Sequence, residues 1–158
     1  NADVVVMTSY APLFAKKGTN NWNPDLIYFD NEKTYLTCSY YVQQMFGQSS
    51  GDYFYGDCVK FDREDNLLGQ SVVLDTKARK LYVKVCNASE NAASAKINLS
   101  RFGGMKSAAV KTVISGEPMD ENNYDQHPIE PVTENIKVKK SMDMQVPAYS
   151  MTMYTISF

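Results

Sequence analysis

The hydrophobic pattern changes period near Gly51 and Asp52, and that change constrains the fold of this chain more than any other feature. After it, apolar residues recur at every second position. Leu81, Val83 and Val85 alternate with Lys80, Tyr82 and Lys84; Ala95, Ile97 and Leu99 alternate with Lys96 and Asn98. Ile136 and Val138 alternate with Lys137 and Lys139, while Thr152, Tyr154, Ile156 and Phe158 share one face with Met151 and Met153 opposite. A period of two places alternate side chains on one face of a strand. The runs are short and bounded by turn-forming residues, such as Asn87 to Asn91, Phe102 to Gly104 and Ser115 to Pro118. Together they predict an antiparallel β-sandwich. Residues 70–74 and 108–114 supply further strands, and the polar, proline-flanked stretch 120–131 predicts a long connection.

Before residue 51 the pattern is αβα. Asp3 is placed to cap a helix through Val4, Val5, Met7, Thr8 and Ala11, closed by Pro12, although Val4-Val5-Val6 alone equally suits a buried strand. Residues 16–21 form a polar loop. Leu26-Ile27-Tyr28-Phe29 is a continuous apolar run, as in a strand covered on both faces. Thr37 or Ser39 caps a helix carrying Tyr41, Val42, Met45 and Phe46 at helical spacing, with Gly47 as its stop. One such unit cannot bury its own strand. It is expected to fold back on the sandwich or to pair with another chain, as in a homodimer.

The 158 residues suffice for a sizeable core. A net charge of -2 gives no bulk attraction for nucleic acid or an anionic membrane surface. No apolar run approaches the roughly 18 residues of a membrane span. Cys38, Cys58 and Cys86 form neither a zinc pattern nor a disulfide framework, and read as free thiols or as one bridge with one thiol left over. No metal or cofactor is expected. The start, Asn1-Ala2 without a methionine, reads as cut, either a tag remnant or native sequence.

Three segments resemble a known family. They are Tyr10-Ala11-Pro12-Leu13-Phe14, then Trp22-Asn23-Pro24-Asp25-Leu26-Ile27-Tyr28-Phe29-Asp30, then Ser39-Tyr40-Tyr41-Val42-Gln43-Gln44-Met45-Phe46. The sequence resembles the C-terminal portion of α-L-arabinofuranosidases of glycoside hydrolase family 51. More diffuse likenesses run through Ala88 to Asn91, Asp120 to Asn123 and Val146 to Ser150. The resemblance implies that residues 1–50 are the last strand and flanking helices of a truncated (β/α)8 catalytic barrel. Residues 51–158 are then its C-terminal jelly-roll-like β-sandwich. It implies a retaining parent enzyme that hydrolyses terminal non-reducing α-L-arabinofuranosyl residues of arabinose-containing plant polysaccharides. Its two glutamates, acid/base and nucleophile, precede every residue present here, so no catalytic residue is carried over and the chain is expected to be inactive alone. Its partners are the missing barrel of the same polypeptide and, through the parent, arabinose-containing glycans; a periplasmic or secreted location suits such a parent.

Loops at the C-terminal ends of barrel strands face substrate. On that basis Trp22 is a candidate to stack on a sugar face, and Asn23 and Asp25 to bond its hydroxyls. The plainer alternative is that Trp22 packs its loop and Asp25 caps a turn. His127 reads as a solvated turn residue and residues 62–66 as a turn rather than a calcium loop. Asn87-Ala88-Ser89 and Asn98-Leu99-Ser100 match the glycosylation sequon. Tyr53, Phe54 and Tyr55 are expected to pack at the junction. Were they exposed as a planar row, they would favour the other function considered, a carbohydrate-binding module for arabinan or arabinoxylan.

Overall fold

A computed structural model describes residues 3–158. Asn1 and Ala2, whose origin the sequence leaves open, lie outside the described residues. Most of the chain forms two antiparallel sheets. The larger has six strands in the order β10 (Val132–Lys137), β9 (Ala108–Ser115), β12 (Ser150–Ser157), β7 (Lys80–Asn87), β6 (Leu68–Asp75) and β4 (Tyr53–Phe54). The smaller runs β11 (Ser141–Val146), β8 (Ala93–Asn98), β5 (Val59–Phe61). Their inner faces build the main core. Leu81, Val83 and Val85 of β7 and Ile156 of β12 meet Ile97 of β8 and Val146 of β11, all fully buried. Alternation in the sequence predicts this face, and burying each such side chain stabilises the fold by about 1.5–3 kcal/mol.

The outer face of the large sheet departs from the sequence reading. Tyr82 and Lys84 look like the solvated side of β7, yet both are buried. The helix α1 (Cys38–Gly47) lies there and explains it. Met45 of α1 joins Ile114, Ile129 and Met151 in a second apolar cluster, flanked by Tyr41, Val42 and Cys86. Thr37 is the N-cap; its hydroxyl accepts from Tyr40 N at 3.3 Å and donates to the Leu26 carbonyl at 2.9 Å. Gly47 is the last helical residue, and Gln48, in right-handed geometry, forms the C-cap instead.

The first expected helix is absent. Residues 3–13 hold neither helix nor strand, and Val4 (74%), Val6 (99%) and Met7 (85%) are largely exposed. A short helix draws most of its stability from packing an apolar face, and among the described residues nothing covers this one. Two short strands that the sequence reading omits flank the expected one. β1 (Phe14–Lys16) pairs parallel with β2 (Ile27–Phe29), and β3 (Thr34–Leu36) pairs antiparallel with it. β2 is half-buried rather than covered on both faces.

The connection 116–131 is irregular, as the composition of 120–131 predicts, and Asn122 holds it. The buried Asn122 amide donates to the carbonyls of Leu36 at 2.8 Å and Ile129 at 2.7 Å, and its oxygen accepts from Ile129 N at 2.9 Å.

Candidate functional site

The loop between β1 and β2 carries all three predicted sugar-contacting residues. Gly18, at φ +78°, turns the chain after β1 in a conformation that side-chain-bearing residues rarely adopt. Asn20 then organises the loop. Its amide group bonds both the Trp22 carbonyl and Asp25 Oδ2, and its oxygen accepts from Trp22 N at 3.1 Å. On the other side, the Tyr28 hydroxyl donates to Asn23 Oδ1 at 2.5 Å and accepts from Asp25 N at 2.8 Å. Trp22, Asn23 and Asp25 are thus held in one small network.

Their exposures differ. Trp22 is 64% exposed and Asn23 is exposed, whereas Asp25 is fully buried. Among the described residues, Asp25 Oδ1 has no donor, and the hydroxyl of Tyr124 is also buried without a partner. An unpaired buried polar atom costs about 1–3 kcal/mol, so such atoms are rare in a finished fold.

An aromatic stack supports the loop from below. Tyr28 and Tyr35 are register partners on β2 and β3, with rings parallel and 4.7 Å apart. Tyr124 meets Tyr35 edge-on at 4.8 Å, and Lys17 Nζ sits 4.5 Å over the Tyr124 ring. Burial pushes the Tyr28 phenol up, and burial with neighbouring phenols pushes Tyr35 up to about 12. Both hydroxyls therefore keep their protons at neutral pH.

The remaining candidates have structural roles. His127 is exposed in the long connection. In the 62–66 turn, Asp62 accepts from Ser94 N, and Asp65 accepts from Leu67 N and from Arg63. Asn87 is buried, its amide donating to the carbonyls of Asn91, Val146 and Pro147, which closes that sequon to modification. Asn98 is exposed and accepts from Ser100 N at 3.0 Å. All three cysteines are free. Among the described residues, no group of three or more His, Cys, Asp or Glu is placed to hold a metal ion. No helix of these residues is long and apolar enough to cross a membrane.

Tyr53 (59%) and Phe54 (63%) are exposed, against the expectation of packing, whereas Tyr55 does pack, meeting Phe102 at 4.9 Å. Because Tyr53 and Phe54 are successive strand residues, their side chains point to opposite faces and form no planar row.

The family profile described as the α-L-arabinofuranosidase C-terminal domain matches residues 1–150. α-L-Arabinofuranosidase 1 of Arabidopsis thaliana is 33% identical over 135 residues, covering 80% of this chain and 19% of that protein. A probable α-L-arabinofuranosidase A of Aspergillus terreus is 28% identical over 159 residues, covering 98% of this chain and 24% of its own length. Among solved structures, the arabinose-bound family 51 α-L-arabinofuranosidase MgGH51 superposes with a TM-score of 0.88 at 26% identity. That superposition covers 99% of this chain and 25% of the other. The chain therefore spans about a quarter or less of the length of these proteins.

Proposed function

The chain belongs to the α-L-arabinofuranosidase C-terminal domain family, as the C-terminal portion of a family 51 enzyme, and from that we propose that its sandwich supports the catalytic barrel of such an enzyme. The parent activity is the release of terminal non-reducing α-L-arabinofuranosyl residues from arabinose-containing plant polysaccharides, and this portion is inactive alone. The observation that carries the reading is the contrast between a sandwich with a closed core and an N-terminal segment whose Val4, Val6, Met7 and Phe14 stand exposed. Exposed apolar side chains on this scale suit a surface that a larger partner covers. Residues 1–50 are then the remnant of the (β/α)8 barrel and 51–158 the jelly-roll-like sandwich. Without the barrel, a second copy of the chain is the natural alternative cover.

Trp22, Asn23 and Asp25 are the proposed sugar contacts. Their loop leaves the C-terminal end of β1, the end at which barrel loops face substrate, and closes with Asp25 just before the start of β2, where Leu26 N donates to the Pro12 carbonyl. The exposed Trp22 ring supplies a stacking face and Asn23 a polar neighbour. Asp25 Oδ1, which lacks a protein donor, is the acceptor left for a hydroxyl once the loop shifts to admit one.

The test is complementation. The chain and the upstream barrel are produced separately and assayed on an aryl α-L-arabinofuranoside, alone and mixed. Activity that requires the mixture supports the reading; arabinose release by the chain alone overturns it. In the reconstituted enzyme, Trp22→Ala is expected to raise KM by about tenfold, a loss of about 1.4 kcal/mol in binding. An unchanged KM returns Trp22 to a loop-packing role.

A further inference from the structure

We propose, resting on the assignment of Trp22, Asn23 and Asp25 as sugar contacts, that Tyr28 fixes the polarity of their loop: Asn23 offers a sugar hydrogen-bond donors alone, and Asp25 an acceptor alone. Tyr28 and Asn20 are then positioning residues. Two backbone groups set the order. The Asp25 N–H can only donate, and it donates to the Tyr28 oxygen at 2.8 Å. The phenol has one hydrogen left to give, and the Asn23 side chain lies 2.5 Å away. That separation suits an O–H···O bond, about 2.5–3.0 Å, and is too short for a usual N–H···O bond, about 2.7–3.2 Å. The near atom of Asn23 is therefore its oxygen. Its Nδ2, with two hydrogens, is left over, on an exposed side chain with no acceptor among the described residues. Burial pushes the Tyr28 phenol up, so the hydrogen this order needs stays in place at neutral pH.

Asn20 orders the other side by the same logic. The Trp22 N–H donates to Asn20 Oδ1 at 3.1 Å, so Asn20 Nδ2 is the atom that faces the Trp22 carbonyl and Asp25 Oδ2. With Oδ2 taken, Asp25 Oδ1 is the acceptor that remains. A ring or glycosidic oxygen, which can only accept, is thus met by Asn23, and a hydroxyl hydrogen by Asp25. The class of ligand this suits is a neutral sugar that presents an acceptor oxygen beside a free hydroxyl; a sugar carboxylate would be opposed by the Asp25 charge. The place of the phenol does not depend on the loop. The Tyr28 ring stacks on Tyr35 at 4.7 Å, and Tyr124 from the long connection holds Tyr35 edge-on at 4.8 Å. Tyr28→Phe therefore keeps the stack and removes only the hydroxyl.

The test is steady-state kinetics of the whole parent enzyme on an aryl α-L-arabinofuranoside. Asn23→Asp keeps the shape and still accepts from Tyr28, but turns the free atom from donor to acceptor. It should raise KM about tenfold at about pH 6, with kcat held within about twofold. Its KM should return toward wild type as pH falls through about 3.9, where the introduced carboxyl regains a hydrogen to give. Tyr28→Phe should also raise KM about tenfold, and the double variant should fall short of the product of the two effects, since an amide released from Tyr28 no longer has a fixed polarity to lose. Circular dichroism establishes which variants fold; should Tyr28→Phe not fold, the pH dependence of Asn23→Asp decides. KM unchanged in both Trp22→Ala and Asn23→Asp removes the sugar-contact assignment itself. A raised KM in Trp22→Ala with none in Asn23→Asp, an Asn23→Asp defect that persists at low pH, or fully multiplicative effects would overturn the role given to Tyr28 and leave that assignment standing.

Discussion

Lys84 offers the sharpest quantitative test of this fold. It is 4% exposed, beneath the end of α1, with no carboxylate partner among the described residues. Its Nζ donates to the Ser49 carbonyl at 2.6 Å and lies 5.0 Å from the Phe46 ring. Desolvation pulls the ammonium down to about 8 from 10.5. That difference amounts to about 3 kcal/mol of disfavoured charging. The sign follows from proton counts. Below pH 8 both folded and unfolded chains carry the proton, and the folded state bears the cost of burying it. Between about pH 8 and 10.5 the folded chain has released the proton while the unfolded chain keeps it, so stability rises with pH in this window. Between pH 7 and pH 10 the gain from this one residue is about 2.5 kcal/mol. The three thiols, all raised by burial, work against it. They hold their protons to higher pH in the fold than in the unfolded chain, which loses them above about pH 8.5. The measurement is therefore a difference between wild type and Lys84→Met, which shares the thiols. Urea denaturation is followed by far-ultraviolet circular dichroism, because the single tryptophan, Trp22, is already exposed and reports poorly. Lys84→Met should be at its most favourable relative to wild type at pH 7. It should lose about 2.5 kcal/mol of that advantage by pH 10. A difference that stays flat within 0.5 kcal/mol, roughly the limit of such comparisons, would mean that Lys84 is solvated and that α1 does not cover the sheet.

Two further substitutions test how the connections are held. Asn122→Ala removes three hydrogen bonds and strands the backbone groups of Leu36 and Ile129. It should cost about 2–4 kcal/mol and speed exchange of the Ile129 amide; a cost under about 0.5 kcal/mol would deny Asn122 its role. Gly51→Ala would place a Cβ 2.6 Å from the Leu74 carbonyl oxygen, backbone that cannot step aside, and should destabilise by about 1–3 kcal/mol. Gly47→Ala, where a Cβ meets nothing, is the matched control and should be neutral or stabilise by up to about 1 kcal/mol. Equal melting temperatures for these two variants would contradict the close approach at Gly51.

The inner faces of β7, β8 and β12 are legible in the sequence because their burial repeats with the strand period, and each side chain reports its own environment. Ser141 to Val146 carries the same signal, with Met142, Met144 and Val146 alternating against Ser141, Asp143 and Gln145. It is nonetheless absent from the reading, because two of its three apolar positions are methionines rather than β-branched residues. The short strands β1, β3 and β4 span one or two alternations at most, too few to distinguish from chance. Val4 to Met7 fails for the opposite reason. Its composition is apolar enough for a helix or strand, but among the described residues nothing covers it. The loop Trp22 to Asp25 is legible only through the family resemblance. Nothing local announces that Asn20 and Tyr28 bind it from both sides.

The outer face of β7 shows why periodicity alone has this ceiling. Lys80, Tyr82 and Lys84 read as solvent-facing because an alternating strand with polar residues on one side is solvated whenever nothing lies over it. Here something does. Met45, Val42 and Tyr41 come from before residue 51, while Ile114, Ile129 and Met151 come from after it, and they form one apolar cluster. Asn122 ties the long connection to Leu36 across the same line. The change of texture in the sequence therefore marks where the chain switches from helix to sandwich. It does not mark where packing stops, and the packing across it puts Lys84 at a helix end rather than in water. If α1 were held only by its covalent link, Lys84 would titrate as an ordinary surface lysine. The pH dependence of Lys84→Met thus probes one contact, the seat of α1 on the sheet.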